Sequence, residues 1–306
     1  MEPAVRNEAF AFHGTRQNYS FVGVIKIIAA AFVLVVTLLC KLPASAKFYG
    51  YGVIRELIKL HTVIGTLNME KATSRHFYVK FNPEDRVDVD MVLETAERFY
   101  YPVANDFGFA PRGRIPLIIY SSREELNRSF GWEANESAMG VYWAGTIRLL
   151  SPRAWIEERE PALVKETFVS SGPMAHELAH LMVDYLTGGN YPRWFTEGIA
   201  QYEEYKLTGF EFVDSAGSLK QPLYSMKSLT DDFDNLPNQS LAYRESLAAV
   251  RYIVYRYGES ALLDLIKDLG KGEDFNRALK TVTGVDQYYF ENQWQKWAIN
   301  GAEEII

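Results

Sequence analysis

The sequence predicts an α+β protein: a small mixed β-sheet with flanking helices, followed by a mostly helical half. Three observations carry this expectation. Short β-branched or alternating apolar runs gather between about residues 76 and 150, each the length of a strand. Beyond about residue 160, apolar side chains recur at helical spacing and no alternating run returns. One uncharged apolar stretch, residues 27–40, stands apart at the N-terminal end.

That stretch reads IIAAAFVLVVTLLC, with Lys26 before it and Lys41 after it. Leu42-Pro43-Ala44-Ser45-Ala46-Lys47 follows, and its small residues at Ala44 and Ala46 form the A-x-A pattern of a signal-peptidase site. The run suits a signal-peptide core. It reaches the roughly 20 residues of a membrane span only if extended back to Phe21, with Lys26 snorkelling. Residues 1–46 are therefore expected to be a signal peptide cleaved after Ala46, or an N-terminal anchor giving membrane association through residues 21–40. Either reading places the remainder outside the cytoplasm, secreted or held at the outer face of the cell membrane. Cys40 is no lipid-attachment site, because Leu39 stands where a small residue is needed.

Residues 47–72 form a leading segment, with a helix expected over GVIRELIKLHTVIGT at 52–66. Residues 73–155 form an α/β subdomain. HFYVKF at 76–81 alternates as a strand, a helical stripe runs over 87–104, and IPLIIY at 115–120 reads as a buried strand. Ser122 with Glu125 three residues on marks a helix start. Met139–Trp143 and Thr146–Leu150 flank Ala144-Gly145 as a hairpin. Residues 156–306 are the helical subdomain.

Composition narrows the function. Hydrophobic residues at 48% and charged residues at 23% exclude a disordered chain. A net charge of -7 gives no broad attraction to phosphate, so no nucleic-acid partner is expected. A single cysteine excludes a disulfide framework and a cysteine-ligated zinc. Any metal site must combine carboxylates with His13, His61, His76, His176 or His180.

His176-Glu177-Leu178-Ala179-His180 is an H-E-x-x-H motif. Two histidines four apart on a helix lie about 40° apart around its axis, so both imidazoles reach one ion. Glu177, one residue over, is placed to hold a water at that ion. A catalytic zinc needs a third protein ligand and an open position. No histidine lies downstream, so that ligand must be a carboxylate, or be missing. Glu197 is the candidate, on a second helix after the turn Thr187-Gly188-Gly189-Asn190, with Gly198 allowing the two backbones to approach. Glu203 and Glu204 are expected on a solvated face, His76 on a strand face, and Asp231–Asn235 in a solvated loop.

HELAH followed by PRWFTEGIAQYEE resembles the gluzincin metallopeptidases, and within them the Peptidase MA-like family of exported or membrane-associated proteins. The match falls on His176, Glu177, His180, Trp194, Phe195, Glu197, Gly198, Ala200 and Tyr202, and the likeness extends over roughly residues 75–298. The resemblance implies a thermolysin-like catalytic core with its active site between the two subdomains. It implies Zn2+ held by His176, His180 and Glu197, and Glu177 as general base in hydrolysis of a peptide or protein substrate. It implies substrate binding along a sheet edge, at Met139–Trp143 or Thr146–Leu150, and an oxyanion-stabilising side chain from the helical half, for which Tyr243 is the candidate. Better-known gluzincins carry an Asp four residues after the glutamate ligand to orient a ligating histidine; here that position is Gln201. Two other functions fit the same residues: a non-catalytic zinc-containing binding or scaffold module at the cell surface, and a zinc hydrolase of a non-peptide substrate.

Overall fold

The computed structural model describes residues 44–131 and 138–301. Within them the chain builds a mixed sheet and then a helical half, as the sequence predicts. The apolar stretch 27–40 and the proposed span 21–40 lie outside the described residues. Among the described residues no helix is long and apolar enough to cross a membrane.

Helix α1 spans Ala44–Gly65, starting ahead of the expected 52–66. Strand β1 (Glu70–Thr73) follows across the end of the leading segment, where no strand was expected. Its sequence, EKAT, carries no alternating apolar signal because it is an edge strand, paired only with β2 (Phe77–Phe81). A 3-10 turn over Pro83–Asp88 leads into α2 (Val89–Asp106). Its stripe of Val92, Ala96, Phe99 and Val103 is buried, facing the sheet as amphipathic spacing requires. β3 (Ile115–Tyr120) is buried along almost its whole length, as a central strand covered on both faces must be. α3 (Arg123–Phe130) begins where expected, with the Ser122 hydroxyl accepting from the Glu125 amide.

β4 (Gly140–Trp143) and β5 (Thr146–Leu150) form the expected hairpin. Ala144 and Gly145 both take positive φ, 45° and 81°, the sense that matches hairpin twist. The sheet order is β1-β2-β3-β5-β4. β2, β3 and β5 run parallel, and the two outer strands are antiparallel to their neighbours. β4 is therefore an edge strand, and it is the strand that meets the helical half.

The helical half comprises α4 (Pro161–Ser171), α5 (Met174–Thr187), α6 (Arg193–Thr208), α7 (Met226–Asp231), α8 (Gln239–Tyr257), α9 (Glu259–Gly270), α10 (Phe275–Thr283) and α11 (Gln287–Ile299). α5 is buried along nearly its whole length, with Leu178, Leu181, Met182 and Val183 in the core. α6 packs on α5 and on α8. Gly198 serves a different approach from the one expected. A Cβ there would lie 2.2 Å from the Ser246 carbonyl, so it is α8, not α5, that the missing side chain admits.

Candidate metal centre

His176 and His180 project from α5 and Glu197 from α6, and one ligand atom from each lies within 4.8 Å of the others. The His176 and His180 Nε2 atoms are 3.1 Å apart. Glu197 Oε2 is 3.4 Å from the first and 3.5 Å from the second. Three donors at 2.0–2.1 Å on a tetrahedral ion are separated by about 3.3 Å, so these side chains fit one face of a zinc tetrahedron. Glu197 Oε2 is buried and lacks a hydrogen-bond donor, which a cation would satisfy. Two nitrogens and one carboxylate oxygen also suit zinc by donor type.

The remaining atoms of the ligands are tied down. His180 Nδ1 lies 2.7 Å from the Thr196 hydroxyl. His176 Nδ1 lies 3.3 Å from Glu204 Oε2. With both Nε2 atoms turned to the ligand pocket, each Nδ1 carries the proton and donates. Glu197 Oε1 accepts from Arg193 at 3.0 Å, which leaves Oε2 as its free donor. Burial pushes the Glu197 carboxyl up, but His180 and Arg193 outweigh it and hold the group well below the usual carboxylate range.

One expectation is corrected here, and the role of Gln201, left open by the sequence, is answered. Glu203 and Glu204 are buried, not on a solvated face. Gln201 does not reach a histidine: its amide donates to the carbonyls of Glu197 and Tyr243. Glu204 takes the orienting role. The signal was in the spacing, since residues seven apart on a helix return to the same side, and 204 is seven beyond 197.

Glu177 is buried beside the triad, and its Oε2 accepts from the Tyr142 amide at 2.5 Å. Burial pushes its carboxyl up, against the pull of His176 and His180. Tyr142 lies on edge strand β4. The Leu150 amide donates to the Met139 carbonyl, so Met139, Val141 and Trp143 face β5 and the backbone of Gly140 and Tyr142 faces outward. Gly140 is needed in that position, because a Cβ would lie 2.7 Å from Pro173 and 3.1 Å from Glu177 Cγ.

The same strand is fixed a second time. The Tyr142 hydroxyl donates to Asp184 Oδ2 at 2.7 Å. Asp184 is fully buried on α5, seven residues after Glu177. Its carboxylate also accepts from Tyr51 at 2.6 Å and from Arg55 at 3.1 Å, both on α1. Sequence reasoning missed this cluster. The available signal was an aspartate on the buried face of an otherwise apolar helix.

Tyr243, on α8, lies near Glu197, with its ring against Phe233 and its hydroxyl accepting from Arg193. The negative charge of Glu197, then burial, pushes its phenol well up. His76 stays outside the site, with Nδ1 2.6 Å from Glu97 and its ring stacked on Tyr100. Asp231, Asp232, Asp234 and Asn235 are exposed as expected, but the segment is not a loop: Asp231 ends α7, Phe233–Asn235 is a 3-10 turn with Phe233 buried, and Asp234 comes within 3.7 Å of Arg193.

No curated protein matches the chain. The model of the Peptidase MA superfamily matches residues 95–300, a stretch that includes β3, β4, β5 and every residue of the triad. The chain belongs to the Peptidase MA superfamily.

Proposed function

We propose that the protein is an exported or membrane-associated, zinc-dependent metallopeptidase. The observation that carries this reading is Glu177. A purely structural ion has no use for a buried carboxylate beside its ligands, with one oxygen held by a strand amide. A zinc ion held by His176, His180 and Glu197 would supply Lewis acidity, making water ionisable near neutral pH and polarising a carbonyl.

The chain's own groups supply the rest. Glu177 takes the proton of the attacking water and delivers it to the departing amine. An extended peptide adds to the outward edge of β4 through the backbone groups of Gly140 and Tyr142 that Glu177 does not hold, which brings its carbonyl past Glu177. Arg193 and Tyr243 lie on the α8 side of Glu197, and Tyr243 is the candidate to hydrogen-bond the developing oxyanion.

The test is a peptide-library digest by the zinc-loaded chain, alongside Glu177→Gln. Cleavage by the parent and none by a variant that still binds one zinc is the expected result. Zinc bound by both with no peptide cleaved by either would indicate a binding or scaffold module. Ester or other non-peptide hydrolysis alone would indicate a different hydrolase.

A further inference from the structure

The inner face of α1 is committed to the protein. Tyr51 and Arg55 hold Asp184, and Arg55 lies over the Tyr185 ring, 3.6 Å from its centroid. Gly188 and Gly189 leave room for this helix, because a Cβ at either would strike the ring of Phe48 or Tyr51. Thr62, also on that face, is buried.

The opposite face is not polar, as a surface helix's would be. Tyr49, Val53, Leu57, Leu60, Ile64 and, just past the helix end, Leu67 are all exposed. At 100° per residue, and with Leu67 counted as one more helical step, they fall within about 80° of arc. They form one stripe down the helix, longer than the isolated apolar patches a soluble monomer tolerates.

The sequence around the helix indicates what covers this stripe. The uncharged run 27–40 ends four residues before α1 begins, and Lys41 and Lys47 bracket the junction. Apolar side chains on a helix face with a tyrosine at its edge, and a sequence with lysines on either side of the helix start, match a helix lying in the headgroup region of an anionic bilayer. A second copy of α1 is the weaker fit. The stripe from Tyr49 to Leu67 covers fewer than three full heptads, short of the three to four a coiled coil needs. The flanking positions Ile54, Glu56, His61 and Val63 offer no complementary charge pairs.

We infer that α1 is an interfacial helix whose Tyr49–Leu67 stripe lies on an anionic lipid surface, with its inner face fixing the metal-centre helix α5 at Asp184. A chain beginning at Lys47 keeps the whole stripe but loses the apolar run and Lys41, so the argument from that run applies to the chain that retains residues 1–46. The inference does not rest on the peptidase reading.

The test uses the full chain carrying Cys40→Ser, with single spin labels at Leu57→Cys, Leu60→Cys or, as an exposed control far along the sequence, Glu158→Cys. The protein is reconstituted with phosphatidylcholine–phosphatidylglycerol vesicles. Labels at 57 and 60 are expected to be relaxed by oxygen and several-fold less by a water-soluble nickel chelate than the label at 158. Three results would overturn the inference: nickel access equal to that at 158; protection from both agents, meaning protein covers the stripe; and spin–spin broadening that disappears on dilution with unlabelled chain, meaning a second copy does. Failure of the protein to associate with the vesicles would also overturn it. Zinc content and thermal unfolding, unchanged in the labelled variants, separate any of these from damage to the fold or to the metal centre.

Discussion

His176 and Glu204 are paired, Nδ1 to Oε2 at 3.3 Å, from neighbouring helices. The carboxylate fixes the ring's tautomer and orientation and makes Nε2 a stronger donor to a metal. Glu204→Gln is expected to lower zinc affinity about 10- to 100-fold. Gln201→Ala is expected to leave it unchanged, since the Gln201 amide bonds only to backbone carbonyls. Competition titration against a chromogenic chelator reads both.

Glu197 and Arg193 divide their tasks differently. Glu197→Ala removes one of three ligands, and zinc affinity is expected to fall by orders of magnitude. Arg193→Gln frees Oε1 without removing a ligand. One zinc per chain should remain. The absorption spectrum of the cobalt-substituted protein should shift as the carboxylate changes its mode of coordination. An unaltered spectrum would mean that Arg193 does not control how Glu197 binds.

Glu203 and Glu245 make stability depend on pH. Burial, with Asp106 and Glu259 nearby, raises the Glu203 carboxyl to about 8. Burial, with Glu291 nearby, raises Glu245 to about 8. In the unfolded chain both titrate near 4.5. The folded state therefore holds protons that the unfolded state has released. Their contribution is complete below about pH 4.5 and is lost as pH rises to about 8. Denaturant unfolding between pH 5 and pH 8.5 should show this decline, on the order of a few kcal/mol. Glu203→Gln and Glu245→Gln should each flatten the slope and raise stability at the alkaline end.

The N-terminus is tested by sequencing exported protein, which is expected to begin at Lys47. A start at Met1 or Glu2 in a membrane fraction would show an anchor instead.

The parts that were legible in the sequence are those with a local signal. β3, the Ala144-Gly145 hairpin and the His176–His180 pair each announce themselves within a few residues, through β-branched runs, turn chemistry or helical spacing. Glu197 was legible because only a carboxylate remained to complete the ligands. Glu204, Arg193 and Asp184 were not, because a charged side chain reads as solvated until its buried partner is known, and each partner lies on another element or a turn away. Gly198 showed that a close approach was needed but not by which helix, since that is a tertiary fact. β1 gives the core only Ala72, partly buried, and so left no apolar pattern.

The tie between α1 and Asp184 bears on where the chain can be cut. The superfamily match begins at residue 95, yet two donors to this fully buried carboxylate, Tyr51 and Arg55, lie forty or more residues before that limit. Trimming to the matched stretch would strand a desolvated negative charge next to the histidine helix and delete two sheet strands. The smallest excisable unit is therefore wider than homology marks it.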